Sequence, residues 1–520
     1  MKIYKKLIKK IIKISYYFNA FITSLKSKFT MLITKIHKDY QKLLGTHISV
    51  NGWVKTMRNQ KQPIFISISD GSSDKFLQII ASSDKLTNMD LIAKITTGSS
   101  INVTGTLIES PGSGQLFEIM ASEIKIYQIC DSTFPLQKVG LSLEFMRTKA
   151  HQRHRSNVIR AVAVVKSNIM SSFKDYYRDN NYTHIDLPVL TTNACESGCQ
   201  PLQVTSLINN GKISSIPVQT DAADCIDFTQ DFFNNPVYMT VSNQLHLECF
   251  AHGLGRVWTI TQATRGEPSQ TTKHLACFNM LEAEFCFGDL SDNITVAESC
   301  IKYCVQQALL KCPGEMGILA YAAVPTDKNG KKPKLEPNAK YPLITKLEKI
   351  INEPFIRITH QDAITLLLKI HATKPFNNTP EYSGDLSGEH EMFLVQHFNH
   401  PVIVMYYPKA VKAFYMPVHH MVKIDDKTIE YVDCFDLLMD IGEVVGGSQR
   451  IWNEADLISR MEEVSIDHKH LNWYVDLRRH GSVPHGGFGL GIERLTAVIT
   501  GMANVKDCIS FPITLHHCTY

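Results

Sequence analysis

A run of alternating glycines near the C-terminus constrains the fold more than any other part of the chain. Residues 487–495 read GFGLGIERL, in which three alternate glycines precede Glu493 and Arg494. Glycines on one face of a strand let a flat ligand lie against the backbone. An arginine at the start of a helix, beside its positive end, can hold phosphate. The pattern predicts a nucleotide-binding strand and helix. Its spacing differs from the dinucleotide fingerprint, and a tight turn is the alternative.

A second cluster with compatible chemistry lies far upstream. Arg265, Glu267, His274 and Phe278 fall in a region where polar and apolar residues alternate. The arginine can neutralise phosphate, the glutamate can accept a hydrogen bond from an adenine amino group, and the phenylalanine can stack on a base. The two clusters together predict groups that can bind phosphate and a base, and the sequence contains no Walker loop.

Positive charge is concentrated at the N-terminus. The formal net charge is +4, but residues 1–38 contain ten lysines and no acidic residue, which leaves −6 on the rest of the chain. Apolar residues recur there at helical spacing, from Ile3 to Leu25. We interpret residues 1–38 as a leader for an organelle, a mitochondrion or plastid-like compartment, with the cytoplasm as the alternative location. A secretory-type leader and a basic arm that touches nucleic acid or a membrane surface are alternatives. The segment is too charged for stable membrane insertion.

The thirteen cysteines give no sign of a structural metal. Neither close pair, Cys195/Cys199 or Cys300/Cys304, has a matching second pair at zinc spacing. An odd number of cysteines in a chain of ordinary globular composition suits a reducing compartment.

Residues 39–130 predict a small β-barrel. Five segments of alternating apolar and polar residues follow one another, separated by turn signals such as Asp70-Gly71. Five short strands in this length are typical of a closed barrel of the OB type. Phe65 and Gln78 lie on successive strands, where one could stack on a base and the other could bond to its edge. Ordinary structural positions in a barrel are the alternative for both.

After a predicted hinge at residues 131–150, residues 151–520 form a second predicted domain. Asn157–Asn181 has helical spacing, and Thr183–Leu190 reads as a strand that closes on Pro188. Many of the remaining predicted strands have no intervening helix, which indicates a largely antiparallel sheet flanked by helices and an α+β fold class. These strands are Val237–Val241, Val257–Thr261, Cys277–Cys286, Val402–Tyr406, Ala413–Val418 and Ile429–Val432.

From about Gly45 to Phe511 the chain resembles the class II aminoacyl-tRNA synthetases of the aspartate, asparagine and lysine subgroup. The family's three motifs are matched by Phe173–Pro188, by Thr264–Glu282 and by the glycine–arginine segment. The resemblance implies that the first motif builds a homodimer interface and that the barrel reads an anticodon through Phe65 and Gln78. It also implies ATP as a substrate, with Mg2+ on its phosphates, and tRNA as a partner.

The resemblance also assigns roles to individual residues. The catalytic residues would be Arg265 and Arg494. The ATP site would consist of Arg265, Glu267, His274, Phe278, Glu443 and Arg494. Magnesium would lie on Glu443 and Asp436. The amino acid would be bound by Glu196, Gln244, Glu248 and Arg479.

The segment Gln244–Glu248 bears on the choice of amino acid. Leu247 stands where aspartate-specific members of the family carry a lysine, and Glu248 adds an acceptor. A leucine gives a carboxylate no partner and a glutamate repels it, whereas a glutamate can accept from the amide NH2 of asparagine. The resemblance is therefore closest to the asparagine-specific members, which implies L-asparagine and tRNA(Asn) as substrates. The alternatives are an aspartate-specific or relaxed enzyme, a non-catalytic RNA-binding protein and a tRNA-independent amidating enzyme.

Two residues depart from the family's second motif. Thr264 stands in place of the phenylalanine before Arg265, and Cys277 replaces a glutamate before Phe278. Loss of a carboxylate near ATP could weaken metal or substrate binding, so a catalytically impaired paralogue is a further alternative.

Overall fold

The computed structural model describes residues 30–520 apart from 60–61, 113, 137–139, 194–199, 209–210, 213–215, 220–224, 327–331, 333–340 and 425. The chain divides into two compact units, residues 1–156 and 157–520. Residues 1–29 of the predicted leader lie outside the described residues, so their role in targeting stays a prediction. In the part of the chain that is described, no helix is both long and apolar enough to cross a membrane.

The first unit contains the predicted closed barrel of five strands. Its elements are α1 (Ile33–Leu43), β1 (His47–Arg58), β2 (Ile64–Ser69), β3 (Leu77–Ala81), α2 (Met89–Ile92), β4 (Ser100–Glu109), β5 (Phe117–Gln128), α3 (Leu143–Arg147) and α4 (Ala150–Arg153). The strand order is β1-β2-β3-β5-β4, and β1 closes the barrel because it pairs with both β2 and β4. Helix α3 lies inside the segment 131–150 that the sequence suggested as a hinge.

Helix α1 is part of the barrel. Ile33 and Ile36 are completely buried in the barrel core. The N–H of Ile33 donates to Asp70 Oδ2 at 2.8 Å, and the N–H of Thr34 donates to Ser72 Oγ at 3.0 Å. These bonds satisfy two N–H groups that have no partner within the helix. The helix starts inside the predicted leader, so the boundary between residues 38 and 39 divides an element of the folded barrel.

The second unit is built around a mostly antiparallel sheet of eight strands, as predicted. Its elements are α5 (Asn157–Asp179), β6 (Thr183–His184), β7 (Leu190–Thr191), β8 (Gln203–Val204), β9 (Val237–Met239), α6 (Gln244–Leu254), β10 (Arg256–Thr264), β11 (Cys277–Cys286), α7 (Leu290–Lys311), α8 (Pro313–Ala323), α9 (Pro342–Asn352), β12 (Ile356–Thr359), α10 (His360–His371), α11 (Gly388–Phe398), β13 (Val402–Met405), β14 (Val418–Ile424), β15 (Lys427–Val432), β16 (Cys434–Met439), β17 (Gly442–Gln449), α12 (Glu454–Glu463), α13 (Asn472–Asp476), β18 (His485–Gly491) and α14 (Ile492–Thr500). The large sheet has the order β12-β13-β16-β17-β18-β11-β10-β6 and is parallel only at its two edges.

Helices pack on this sheet and fix its central strands. Helix α5 packs against α7 and α8, α7 contacts β17 and β18, and α14 contacts both α5 and β11. The strands β7, β9 and β8 form a separate small sheet, and β14 pairs with β15. An α+β unit of this kind confirms the predicted fold class.

Two local predictions in this unit were wrong. In place of the predicted strand Ala413–Val418, residues 413–417 form a turn and loop that lead into β14, and Phe414 and Tyr415 are buried in a hydrophobic cluster and not in a sheet. A short apolar run does not distinguish a buried strand from a buried loop. The predicted strand Thr183–Leu190 is divided, since β6 ends at His184 and β7 begins at Leu190.

We expect a chain that starts at Asp39 to have a less stable barrel than a chain that starts at Thr30. The shorter chain lacks the buried Ile33 and Ile36 side chains, and losing a buried isoleucine costs about 2–5 kcal/mol. Denaturant unfolding of the two chains measures the difference. In the chain from Thr30, the double change Ile33→Ala/Ile36→Ala should reproduce the loss, whereas Lys35→Ala, at an exposed position of the same helix, should not. Equal midpoints for the two truncated chains would contradict the assignment.

Candidate active site

The second unit contains a cavity of about 250 Å³ above its central strands. The lining comes from β11, β16, β17 and β18, from the loop between β10 and β11, from the first turns of α6 and α14, and from residues 411–416. The structure brings the following sequence-predicted residues together in this lining: Gln244, Arg265, Glu267, His274, Phe278, Asp436, Glu443 and Arg494.

The alternate glycines of β18 leave the floor of the cavity bare. Strand β18 is central, because it pairs with β11 on one side and with β17 on the other. Gly489 and Gly491 line the cavity. A Cβ on Gly487, which lies on the same face, would overlap the carboxylate of Glu284. The predicted glycine strand therefore turns its glycine face to the cavity at Gly489 and Gly491.

One end of the cavity carries cationic, imidazole and aromatic groups suited to a nucleotide. The guanidinium carbon of Arg265 lies 5.4 Å from the centre of the Phe278 ring. His274 Nδ1 lies 2.8 Å from the hydroxyls of Ser269 and Thr271, and its Nε2 lies 3.8 Å from Glu267. Burial, and then the charge of Arg494, lowers the pKa of His274, which favours the neutral ring at pH 7.

Arg494 ties several parts of this end together. Its Nη1 donates to the backbone carbonyl of Glu443 at 2.7 Å and lies 3.5 Å from Glu443 Oε2, and its Nε donates to the carbonyl of Lys273 at 3.3 Å. Glu391 adds a further link, since its Oε2 accepts from Lys273 Nζ at 2.6 Å and from the backbone N–H of Glu443 at 3.3 Å. The guanidinium of Arg494 is thus held in the lining, beside Glu443.

Glu443 and Asp436 meet on the wall of the cavity. A Cβ on Gly446 would lie 3.0 Å from Glu443 Oε1 and 3.6 Å from Asp436 Oδ1, so both carboxylates flank one point of β17. Lys412 Nζ donates to Asp436 Oδ2 at 2.7 Å. Burial raises the pKa of Asp436 to about 7, with Lys412 opposing the shift. Burial alone would raise the pKa of Glu443, but Arg494 and Lys412 outweigh it and hold that pKa below its usual value.

This pair of carboxylates fits a magnesium ion that shares a nucleotide. Mg2+ prefers oxygen ligands and is commonly bound through one or two carboxylates together with phosphate oxygens. Among the described residues there is no group of three His, Cys, Asp or Glu side chains that could hold a metal. Glu443 and Asp436 would therefore supply only part of the coordination, and phosphate and water would complete it.

The other end of the cavity is lined by buried polar groups. Arg450 is only 3% exposed, and its Nη2 lies 2.5 Å from Glu284 Oε1. Ser242 Oγ donates to Glu282 Oε1 at 2.5 Å. Burial raises the pKa of Glu284 to about 8 although Arg450 opposes the shift. Sequence reasoning missed Arg450, although it ends the same GEVVGGSQR segment that supplied Glu443.

Glu248 lies one layer behind the lining. Its carboxylate is fully buried and accepts from Arg478 Nη2 at 2.8 Å, from Tyr474 OH at 2.9 Å, from His485 Nε2 at 3.0 Å and from Gln244 Nε2 at 3.1 Å. Burial alone would raise the pKa of Glu248, but Arg478 and His485 outweigh it and hold the pKa below its usual range. The predicted direct contact of Glu248 with an amino acid thus differs from the structure, in which Glu248 supports Gln244.

Arg479, which the resemblance assigned to the amino-acid site, lies outside the cavity lining. Its side chain is 40% exposed and pairs with Glu454 at 2.7 Å and with Asp476 at 3.5 Å, outside the cavity. The preceding residue, Arg478, points inward to Glu248, and Arg450 lines the cavity together with Arg265 and Arg494. Glu196 lies outside the described residues, so its role stays a prediction.

The two departures from the second motif lie beside the cavity and not in its lining. Thr264 and Cys277 face each other across β10 and β11, with Thr264 Oγ1 at 4.0 Å from Cys277 Sγ. Phe278, the next residue, does line the cavity. The cysteine at position 277 therefore does not remove any of the described groups that line the cavity.

A second candidate site lies on the outer face of the barrel. Phe65 pairs with Ile80, and Ser67 pairs with Gln78, so Phe65 and Gln78 are diagonal neighbours on the same face. Gln78 Nε2 donates to Glu118 Oε2 at 2.8 Å. Arg58 is exposed and lies opposite Phe65 on β1. This arginine, which sequence reasoning missed, adds a cation to an aromatic ring and an amide.

Comparison with known proteins follows the same division of the chain. Residues 48–127 match the description "OB-fold nucleic acid binding domain". The asparagine–tRNA ligase of Parabacteroides distasonis is 39% identical over 92% of this chain and 96% of its own length. That of Clostridium perfringens is 36% identical over 94% and 98%.

Solved structures agree with these relatives. Asparaginyl-tRNA synthetase from Pyrococcus horikoshii complexed with asparaginyl-adenylate has 26% identity and a TM-score of 0.76, and the match covers 94% of this chain and 98% of that one. The Entamoeba histolytica asparaginyl-tRNA synthetase in complex with asparaginyl-adenylate has 25% identity and a TM-score of 0.73, over 92% and 98%. Residues 142–515 match the family description "tRNA synthetases class II (D, K and N)", and with its cavity of arginines, carboxylates and bare glycine floor the chain belongs to that family.

Proposed function

We propose that this protein is an asparagine–tRNA ligase, which activates L-asparagine with ATP and transfers it to tRNA(Asn). The observation that carries the proposal is identity of 36–39% to asparagine–tRNA ligases over at least 90% of the chain, combined with an intact cavity. Two structural neighbours with asparaginyl-adenylate bound have the same fold.

The chemistry needs no protein nucleophile. The carboxylate of asparagine attacks the α-phosphate of ATP in line, and pyrophosphate leaves. The terminal ribose hydroxyl of the tRNA then attacks the acyl carbon, and AMP leaves. The enzyme contributes position and charge stabilisation. Arg265 and Arg494 supply the fixed cations for the phosphates, and neutral His274 offers a hydrogen bond beside them.

The bare floor of β18 is the place for the adenine. Gly489 and Gly491 let a flat base approach the backbone, Phe278 stacks on one of its faces and Arg494 covers the other. Mg2+ bound by Glu443 and Asp436 would neutralise part of the phosphate charge. Both carboxylates lie on the wall beside Arg494, where phosphates that extend from this slot would pass.

The end of the cavity lined by Gln244 and Arg450, called the closed end below, suits a neutral side chain with an amide. Arg450 can donate to the side-chain carbonyl of asparagine, and Gln244 lines the same end. Burial alone would raise the pKa of Glu248, but Arg478 and His485 keep it low, so this carboxylate places negative charge directly behind this end. A second substrate carboxylate, as in aspartate, would meet this charge, and Arg450 at this end is already paired with Glu284, which favours asparagine.

The barrel, the first motif and the leader support further proposals. The outer face with Arg58, Phe65 and Gln78 would bind the anticodon of tRNA(Asn). The resemblance of the segment Phe173–Pro188 to the family's interface motif supports a homodimer. The lysine-rich, acid-free N-terminus supports delivery to a mitochondrion or plastid-like organelle, and a reporter fused to residues 1–38 that stays in the cytoplasm would argue for the alternative.

We expect ATP–pyrophosphate exchange by the purified protein to depend on asparagine. Aspartate should support exchange at least roughly a hundredfold less efficiently, because a buried charge mismatch costs several kcal/mol. Exchange is measured with asparagine, aspartate and lysine in parallel. Equal efficiency with aspartate would reject asparagine specificity, and no exchange with any of the three would reject the ligase itself.

We expect Arg450→Ala to reduce kcat/KM for asparagine by a hundredfold or more. Removing one partner of a buried, hydrogen-bonded charge pair costs about 2–5 kcal/mol. The matched control is Arg479→Ala, which removes an exposed ion pair worth about 0–1 kcal/mol and should leave exchange within about twofold of the wild type. Thermal unfolding shows which variants are folded when they are assayed. A larger loss for Arg479→Ala than for Arg450→Ala would restore the original assignment of Arg479.

We expect Phe65→Ala and Arg58→Ala to impair charging of tRNA while sparing exchange. Stacking of a base on an aromatic side chain is worth about 1–3 kcal/mol, so kcat/KM for tRNA should fall by about tenfold or more. Tyr127→Ala is the control, because Tyr127 is also an exposed aromatic of the barrel but lies beside Asn51, towards the other end of β1. Exchange that falls in step with charging would mean that the face acts through stability.

A further inference from the structure

We infer that Lys166, Glu493 and Asn279 are positioning residues that set the gap between the two sides of the adenine slot. The inference rests on the proposed function, because it concerns the binding of ATP. It assigns a role in the reaction to Lys166, which lies on α5 and does not line the cavity.

Glu493 is the centre of this group. Its side chain is 3% exposed, and its Oε1 accepts from Lys166 Nζ and from Asn279 Nδ2, each at 2.6 Å. Its Oε2 accepts from the backbone N–H of Asn279 at 3.0 Å. The carboxylate therefore grips both the side chain and the backbone of one residue of β11, while it sits on the first turn of α14.

This hydrogen bonding joins two residues, each of which is adjacent in sequence to a side chain that forms one side of the slot. Asn279 follows Phe278, which stacks on the base from β11, and Glu493 precedes Arg494, which covers the base from α14. Fixing Asn279 to Glu493 therefore fixes the distance from the aromatic ring to the guanidinium. The gap has to match one flat base, since a gap of about 0.5–1 Å between contacting atoms already forfeits a quarter to a half of their attraction.

Lys166 is needed because the carboxylate is buried. A charge held away from water is stable only when it is paired, and an unpaired carboxylate shifts toward its protonated form or draws in water. Without Lys166, water that enters to solvate the Glu493 carboxylate would compete with Asn279 for its oxygens. Lys166 thus acts on the slot through Glu493, and through that contact α5 is connected to the nucleotide end of the cavity.

This geometry separates the expected effects on the two small substrates. The slot is built by β11 and α14, whereas the amino-acid end is built by Gln244 and Arg450, which the three residues do not contact. Loss of the link should therefore raise KM for ATP and leave KM for asparagine nearly unchanged. A purely structural role for Lys166 would change both constants together or neither.

The test compares Lys166→Met with Arg160→Met on the same helix. Arg160 also forms a shielded ion pair, with Glu315 at 3.2 Å, but that pair joins α5 to α8 and does not reach the cavity. Both KM values are measured by pyrophosphate exchange, and binding of ATP alone is measured by equilibrium dialysis. Lys166→Met should weaken ATP binding and raise its KM by about tenfold. Arg160→Met should stay within about twofold of the wild type, and Lys166→Arg should restore most of the loss.

The same measurements on Glu493→Gln keep the test decisive if Lys166→Met does not fold. Glutamine retains an acceptor for Asn279 but removes the charge that Lys166 neutralises, so the ATP-specific effect should recur. In the double variant the two losses should not add, because both changes break one interaction. Equal KM for ATP in Lys166→Met and Arg160→Met, parallel rises in both KM values, or additive losses would overturn the inference. A wild-type enzyme without asparagine-dependent exchange would instead reject the proposed function, while dialysis with ATP would still report on the slot.

Discussion

The site depends on a central strand that carries no side chain on the face it turns to the cavity. Strand β18 lies between β11 and β17, so the bare strip of Gly489 and Gly491 is flanked on both sides by strands that bear functional groups. Phe278 comes from one neighbour and Glu443 from the other. A side chain on the floor would fill the space between these flanking groups, where the proposed adenine would lie.

Charge divides the cavity into two ends. At the nucleotide end, Lys273 pairs with Glu391 and Arg494 pairs with Glu443, and Arg265 adds a third cation to the lining. At the closed end, Arg450 faces Glu284, and Glu248 is neutralised from behind by Arg478. Isolated buried charges would be costly, and these pairings make the polar lining compatible with a folded core. The same pairings fix the directions of the side chains before a substrate arrives.

The sequence alone identified the functional residues that belong to short motifs. It missed those whose side-chain orientation depends on tertiary packing. Arg265, Phe278 and Arg494 sit within short motifs, and the structure places all three in one cavity. Arg478 and Arg479 are adjacent just after α13, and only the tertiary structure shows that the first points inward to Glu248 and the second outward to Glu454.

Helical spacing likewise shows which residues share a face but not which of them reaches the cavity or the core. Gln244 and Glu248 are four residues apart and share a face of α6, but the cavity lies at the first residue of the helix, so Gln244 reaches it and Glu248 supports it. The amphipathic pattern of the N-terminus continues into α1, and nothing in the apolar spacing marks where the barrel core begins. Strand number and closure of the barrel, in contrast, followed from alternation and turns alone.

The capping of α1 by the turn after β2 sets a limit on maturation of the chain. Ile33 is buried, and its N–H is held by Asp70 across the barrel, so a processing protease would have to cut before this residue to release a folded enzyme. A cut a few residues later would expose the barrel core and leave the Asp70 carboxylate without that N–H donor. If the proposed leader is removed, the latest permissible cleavage point is therefore set by the fold of the barrel and not by the sequence of the leader.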